Sequence, residues 1–315
     1  MTIGIAAAGP WAGAGVLTAL RAVEAVGRGA IGGFVSLAAL TSSQDLLRAE
    51  TQTGGVDSLF PDAPPDAFLS APFAALISSG PNRPEPLSQF IAAEPGIGIV
   101  TGHRFPHATT AEGQALNTLV LDAMEQGRGA QDAVDDVIAA HPKHDAGFVA
   151  LPLNGALGMG NMPSVLRLAN RGEATSECPR IGARVAALHN AILPNKAIAT
   201  VATEIALDEM RRRNTKVQTI TVLAGIDLGI ADQAEIHVDD TFKAIHITHP
   251  DARHQDTETA FGIGDHVNVF RLGKLIGRLG LEPFMIVKDG TIVSLDGARE
   301  VQLPVHLDDA EAFSL

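Results

Sequence analysis

The sequence predicts an α/β fold of the α+β type, with mostly antiparallel strands covered by helices in one domain over 1–315. Three observations predict it. A buried-strand pattern at Thr2–Ala8 runs straight into a helical one. Residues 115–155 read as two helices punctuated by glycine and followed by a strand. The last third closes on a hairpin.

Taken in order, Thr2–Ala8 is a strand, and Ala14–Val26 a helix with Val16, Leu17, Leu20 and Val23 on one face and Gly27 and Gly29 as its stop. Ile31–Leu40 is again strand-like. Residues 57–95, crowded with Pro, Ser and Asp, read as an irregular excursion with short elements, because Phe68, Phe73, Leu76 and Ile77 need a core to pack against. Thr109-Thr110-Ala111-Glu112 has the spacing of a capping box, predicting a helix through Ala115, Leu119 and Met124 that ends at Gly127. A second helix follows over Ala130–Ala140, then a strand over Ala146–Leu153. Helices are expected at Arg180–Leu193 and Lys196–Arg213, split by Pro194. Strands are expected near Val217–Ala224, Ala234–Val238 and Ala244–Thr248, and a helix near Val267–Leu279. The closing hairpin pairs Phe284–Lys288 with Thr291–Leu295 across Asp289-Gly290, a pair suited to a type I′ turn.

Composition narrows the function. The 315 residues are 46% apolar but only 4% aromatic, with no tyrosine, so the core must be aliphatic. A net charge of −13 argues against nucleic acid or an anionic membrane as partner, since both require a basic surface. The single cysteine, Cys178, has no partner for an internal disulfide. No basic residue precedes Arg21 and no apolar run reaches the roughly 20 residues of a membrane span, so the expected location is the cytoplasm.

Two readings compete for the N-terminus. Gly9, Gly13 and Gly15, between a strand and a helix, have the look of a dinucleotide-binding loop, which would make the chain an oxidoreductase. That motif requires an acid or arginine at the end of the second strand, and LAALTSSQ supplies neither, so no cofactor is expected. The other reading starts at Thr2. As a first residue, threonine would carry a hydroxyl nucleophile and an α-amine of pKa about 7.7–8.0, near enough to neutrality to act as its base.

On Met-Thr followed by an apolar strand, and on ALNTLVLDAMEQGRGAQDAVDDVIAAHPKHDAGFVALPLNG (115–155), the chain resembles the N-terminal-nucleophile (Ntn) hydrolase superfamily. The likeness is to bacterial branches that begin Met-Thr, and to isoaspartyl-peptidase-like and glutamyl-transferase-like members. The resemblance implies a four-layer αββα sandwich and, with Thr2 as nucleophile, amide hydrolysis or acyl transfer on a small-molecule substrate. The proteasome-type lysine has no counterpart before Lys143. A non-catalytic binding or oligomeric scaffold of the same fold, with a second copy as partner, is the alternative.

Further candidates are polar residues in apolar or loop settings. Arg48 and Glu50 form one pair, with Arg48 a candidate oxyanion donor. His103, Arg104 and His107 lie in a loop before a helix N-terminus, where an anion could bind. Thr101, Thr109 and Thr110 are candidates by residue type for internal self-cleavage. His246, His249, Asp251 and His254 bring three imidazoles and a carboxylate into nine residues, a weak candidate metal set matching no spacing of known geometry. The acidic chain favours a cationic or neutral amide as substrate.

Overall fold

The computed structural model describes residues 2–194, 196–251, 258–264 and 267–307. Where one domain is expected over 1–315, the chain divides into two compact units, Met1–Asn214 and Thr215–Leu315. The whole is a mixed α/β protein with several antiparallel sheets and few helices.

In the first unit, β1 (Thr2–Ala8) leads into α1 (Ala12–Val26), then β2 (Val35–Leu40) and β3 (Leu46–Thr51). A short helix α2 (Asp66–Leu69) precedes β4 (Phe73–Ser79), and β5 (Ala92–Glu94) pairs with β6 (Gly98–Arg104). Helices α3 (Leu116–Glu125) and α4 (Ala130–Ala140) lead to β7 (Ala146–Pro152), β8 (Gly158–Asn161) and the single turn α5 (Pro163–Leu166). Strands β9 (Arg171–Cys178) and β10 (Ala183–Asn190) and helix α6 (Ala197–Asn214) complete it. The strands form a six-stranded sheet in the order β3-β2-β4-β1-β10-β9 and a four-stranded sheet β5-β6-β7-β8, every pairing antiparallel.

Strand alternation sorts β1 onto two cores. Ile3, Ile5 and Ala7 point to α1 and α6, packing with Val16, Leu20, Ala202 and Met210. Ala6 and Ala8 point the other way, to Ile99, Val149 and Leu151 of the four-stranded sheet. The far face of that sheet carries Val100, Phe148 and Ala150 against Leu116, Val120 and Val134 of α3 and α4. The small residues of TIGIAAA have a steric purpose. A Cβ on Gly4 would stand 2.3 Å from the carbonyl oxygen of Gly102 on β6, so the sheets touch backbone to backbone there.

The glycines after β1 are packing glycines. The Gly9 and Gly13 N–H groups donate to the carbonyls of Pro72 (2.9 Å) and Ala71 (3.2 Å), leaving neither for a phosphate. A Cβ on Gly13 would meet the Phe68 carbonyl oxygen at 1.7 Å, and one on Gly15 would meet Met210 of α6 at 2.9 Å.

Several expectations are corrected. Arg180–Leu193 is not a helix but contains β10, a strand between β1 and β9. Val185, Ala186, Ala187 and Leu188 are buried on both faces, so its pattern is a continuous apolar run rather than an alternation. The excursion at 57–95 contains β4, likewise buried and inserted between β2 and β1. Thr109–Glu112 does not cap a helix. Thr110 Oγ1 accepts the Glu112 N–H (3.2 Å) within a turn, and α3 begins only at Leu116.

The second unit contains β11 (Val217–Leu223), β12 (Leu228–Ile230), β13 (Glu235–Val238), β14 (Ala244–His249) and β15 (Thr259–Gly262). It continues with β16 (Asn268–Arg271), β17 (Lys274–Leu279), β18 (Phe284–Lys288), β19 (Thr291–Leu295) and β20 (Glu300–Leu307). A seven-stranded sheet β11-β20-β17-β16-β13-β14-β12 and a three-stranded sheet β15-β18-β19 enclose one aliphatic core. The expected helix at Val267–Leu279 is instead the β16–β17 hairpin, turning at Leu272 and Gly273, where φ is +50° and +79°. The Asp289-Gly290 turn forms as expected, with φ of +48° and +77°.

Alanine in place of glycine within a helix ordinarily adds about 0.5–1 kcal/mol of stability. The Phe68 carbonyl reverses that sign at position 13. Gly13→Ala is expected to destabilise the protein by about 1–3 kcal/mol, read as a lowered urea midpoint. A neutral or stabilising result would show that α1 does not press on the segment before β4.

Candidate functional site

Thr2 opens β1, paired in register with Ser79 at the end of β4 on one side and Asn190 at the end of β10 on the other. Cross-strand partners share a face, so all three side chains lie on the side of β1 that carries Gly4 and Ala6. Beyond them is a cavity of about 440 Å³ lined by Thr2, Phe34, Ile77, Ser79, Arg83, Pro84, Phe90, Arg104, Phe105 and His107. The Thr2 side chain is nearly buried, and among the described residues its hydroxyl makes no hydrogen bond.

Two arginines line the cavity in different states. Arg104 donates through Nε and Nη2 to the carboxylate of Asp145, a bidentate pair that neutralises it. Arg83 donates from Nη2 to Ser79 Oγ at 2.6 Å and has no carboxylate within ion-pair distance among the described residues. Its loop is held by Gln52, whose side chain accepts from the Arg83 N–H (2.8 Å) and donates to the Arg83 carbonyl (2.7 Å). His107 stands edge-on to Phe90 with ring centroids 4.2 Å apart, and burial holds its pKa below the usual histidine value, favouring the neutral ring.

Behind the cavity a polar chain, buried at His103 and Asn161 and reaching solvent at Glu173, crosses between the sheets. His103 on β6 is fully buried, and its Nε2 lies 2.7 Å from Asn161 Oδ1. Asn161 Nδ2 donates to Glu173 Oε2 on β9, also at 2.7 Å. The carboxylate can only accept, so Asn161 must present its amide there and its oxygen to His103, which places the His103 proton on Nε2. Nδ1 is then a bare acceptor, and neither it nor the buried Asn190 Oδ1 has a hydrogen-bond partner among the described residues. Gly147 makes the arrangement possible, since a Cβ there would stand 2.2 Å from Asn161 Oδ1 and 2.5 Å from His103 Nε2. Burial pushes the His103 pKa down to about 4; the bond to Asn161 and, more weakly, the neighbouring Asn190 side chain oppose the shift, and the charges of His189 and Arg104 add to it.

Other candidates fall elsewhere. Arg48 and Glu50 lie on the edge strand β3, separated from β1 by β2 and β4. Both terminal nitrogens of Arg48 donate to the Ile91 carbonyl (3.3 Å each), and Glu50 accepts from Ser36, so Arg48 is not an oxyanion donor at Thr2. The helix start after His107 is no anion site either. The Leu116 and Asn117 N–H groups donate to the carbonyls of Ala108 and Pro106, both at 2.9 Å. Thr101 Oγ1 is buried, donating to the Leu76 carbonyl.

In the second unit, His246 and His249 stand three residues apart on β14, so they face opposite sides of the sheet. His246 lies beside His237, and His249 packs on Phe261 while its Nδ1 accepts the Asp251 N–H at 3.1 Å. His254 lies outside the described residues. Among the described residues, no three His, Cys, Asp or Glu side chains form a group that could hold a metal ion, and no helix is long and apolar enough to cross a membrane.

The two units match two family models. One, described as Domain of unknown function (DUF6963), covers residues 2–219; the other, described as Domain of unknown function (DUF7259), covers residues 225–300. The chain belongs to the DUF6963 family. No curated protein matches it. The DUF6963 segment contains Thr2, the cavity and the His103 chain, and so everything assembled at the candidate site.

A histidine that titrates near 4 when folded and 6.5 when unfolded stabilises the fold fully above pH 6.5, and that stability is lost as pH falls towards 4. The His103 contribution lost between pH 7.5 and 5 is expected to be about 2 kcal/mol. Urea titrations of wild type and His103→Asn across that range check this: the wild-type curve should fall more steeply. Parallel curves would mean that His103 has the same pKa in the folded and the unfolded chain.

Proposed function

We propose that the DUF6963 segment is an N-terminal-nucleophile hydrolase fold, a four-layer αββα sandwich, and that Thr2 is its nucleophile in amide hydrolysis or acyl transfer. The observation that carries this reading is the position of Thr2. It starts a strand buried on both faces, its hydroxyl makes no hydrogen bond among the described residues, and it opens on a cavity. The packing of the two antiparallel sheets against each other and against helices supports the reading.

The chemistry requires Thr2 to be the first residue, with Met1 removed. Thr2 Oγ1 then attacks the amide carbonyl carbon while the α-amine accepts the hydroxyl proton. The tetrahedral oxyanion takes a hydrogen bond from a preorganised donor, for which the Asn190 side-chain amide on the adjacent strand is the candidate in place of Arg48. Collapse expels the leaving amine, which takes the proton from the α-ammonium, and water or a second amine releases the Thr2 ester.

A β-lactone probe tests the reading, because hydroxyl attack opens the ring and adds the whole lactone mass. The intact protein is expected to lack Met1, and the adduct to lie on the peptide that begins with Thr2. Thr2→Ala should cut labelling at least ~1000-fold, while Thr2→Ser keeps part of it. Circular dichroism should show both variants folded, since only small groups are removed. A retained Met1, or an adduct unaffected by Thr2→Ala, would overturn the proposal and leave the non-catalytic scaffold as the better account.

A further inference from the structure

We propose that the cavity at Thr2 selects a small ligand with an apolar body and a single carboxylate, and that Arg83 receives the carboxylate. The inference uses the cavity of the reading above but not the chemistry of Thr2.

The lining carries the argument. Phe34, Ile77, Phe90 and Phe105 make most of the wall apolar, and about 440 Å³ is room for a single ring with a short chain. Among the described residues, no aspartate or glutamate lines the cavity. Of its cationic or titratable groups, Arg104 is spent on Asp145 and burial favours the neutral form of His107. Among the described side chains of the lining, Arg83 alone brings a charge that no lining group cancels. It is also pre-positioned: Gln52 clamps its backbone at both the N–H and the carbonyl, and Ser79 holds one guanidinium nitrogen. The rest of the planar fork is available for a carboxylate, a bond that strengthens where apolar walls exclude water.

The sign of the site therefore opposes the sign of the molecule. The net charge of −13 disfavours anions at long range, but salt screens that field beyond about 8–10 Å, and inside the cavity Arg83 decides. The cationic or neutral substrate that composition suggests is the wrong choice for this pocket.

Isothermal titration of the full chain with 4-phenylbutyrate, 4-phenylbutanamide and 4-phenylbutylamine separates charge from shape. The carboxylate is expected to bind about ten-fold more tightly than the amide, with the amine weakest. Arg83→Gln should remove that advantage, leaving amide binding within about two-fold of wild type, and Arg83→Lys should retain part of it because charge survives while the fork is lost. The proposal is overturned by equal affinities for the three ligands, by no carboxylate binding at ~10 mM, or by a preference that survives Arg83→Gln. Comparison among ligands on the wild-type protein holds even if the glutamine variant fails to fold. Lactone labelling of Thr2 without carboxylate preference would defeat this inference alone; carboxylate binding without labelling would defeat only the Thr2 chemistry.

Discussion

The contact between β1 and β6 is the constraint on which the first unit depends. With Gly4 facing the Gly102 carbonyl and Ala6 and Ala8 continuing the same face, the two sheets come closer than side chains of ordinary size would allow. The other face of β1, Ile3, Ile5 and Ala7, is sealed by α1 and α6. A strand buried on both faces cannot slip by one residue without pushing Ile3 and Ile5 into the space held open by Gly4 and Ala6. That fixes the register with β4 and β10, and with it the placement of Thr2 between Ser79 and Asn190.

The same economy of volume recurs behind the cavity. Gly147 leaves room for the His103–Asn161 bond, and the Asn161–Glu173 bond carries the polar chain from the edge of one sheet to the edge of the other. Buried polar groups are costly unless paired, so a chain with its partners in place favours one alignment of the sheets. His103 Nδ1 in this chain, and Asn190 Oδ1 on the strand beside Thr2, have no hydrogen-bond partner among the described residues.

The glycine loop shows how one local pattern can satisfy two explanations. Gly9, Gly13 and Gly15 follow a strand and enter a helix, as they would in a nucleotide site. Here their N–H groups and their missing side chains are used by Pro72, Ala71, Phe68 and Met210. The glycines are required by helix packing and by the chain that crosses the helix start.

Local signals in the sequence determined the elements with a clear period or turn. These are β1, α1, α4 and the Asp289-Gly290 hairpin, where residue spacing and backbone preference act within a few positions. They also singled out Thr2, Arg104 and His107, which the structure brings to one cavity. Tertiary structure alone decided the rest. Strands β4 and β10 are covered on both faces, which erases the alternation by which a strand is recognised, and β10 therefore has the apolar density of a helix. Arg48 and Arg83 are both arginines in loop-rich or apolar surroundings, and nothing in their neighbours distinguishes them. The strand order β3-β2-β4-β1 puts the first at a sheet edge and brings the loop after β4, with Arg83, beside Thr2. Strand order is set by which faces can be buried together, a property of the whole chain that no short stretch of it contains.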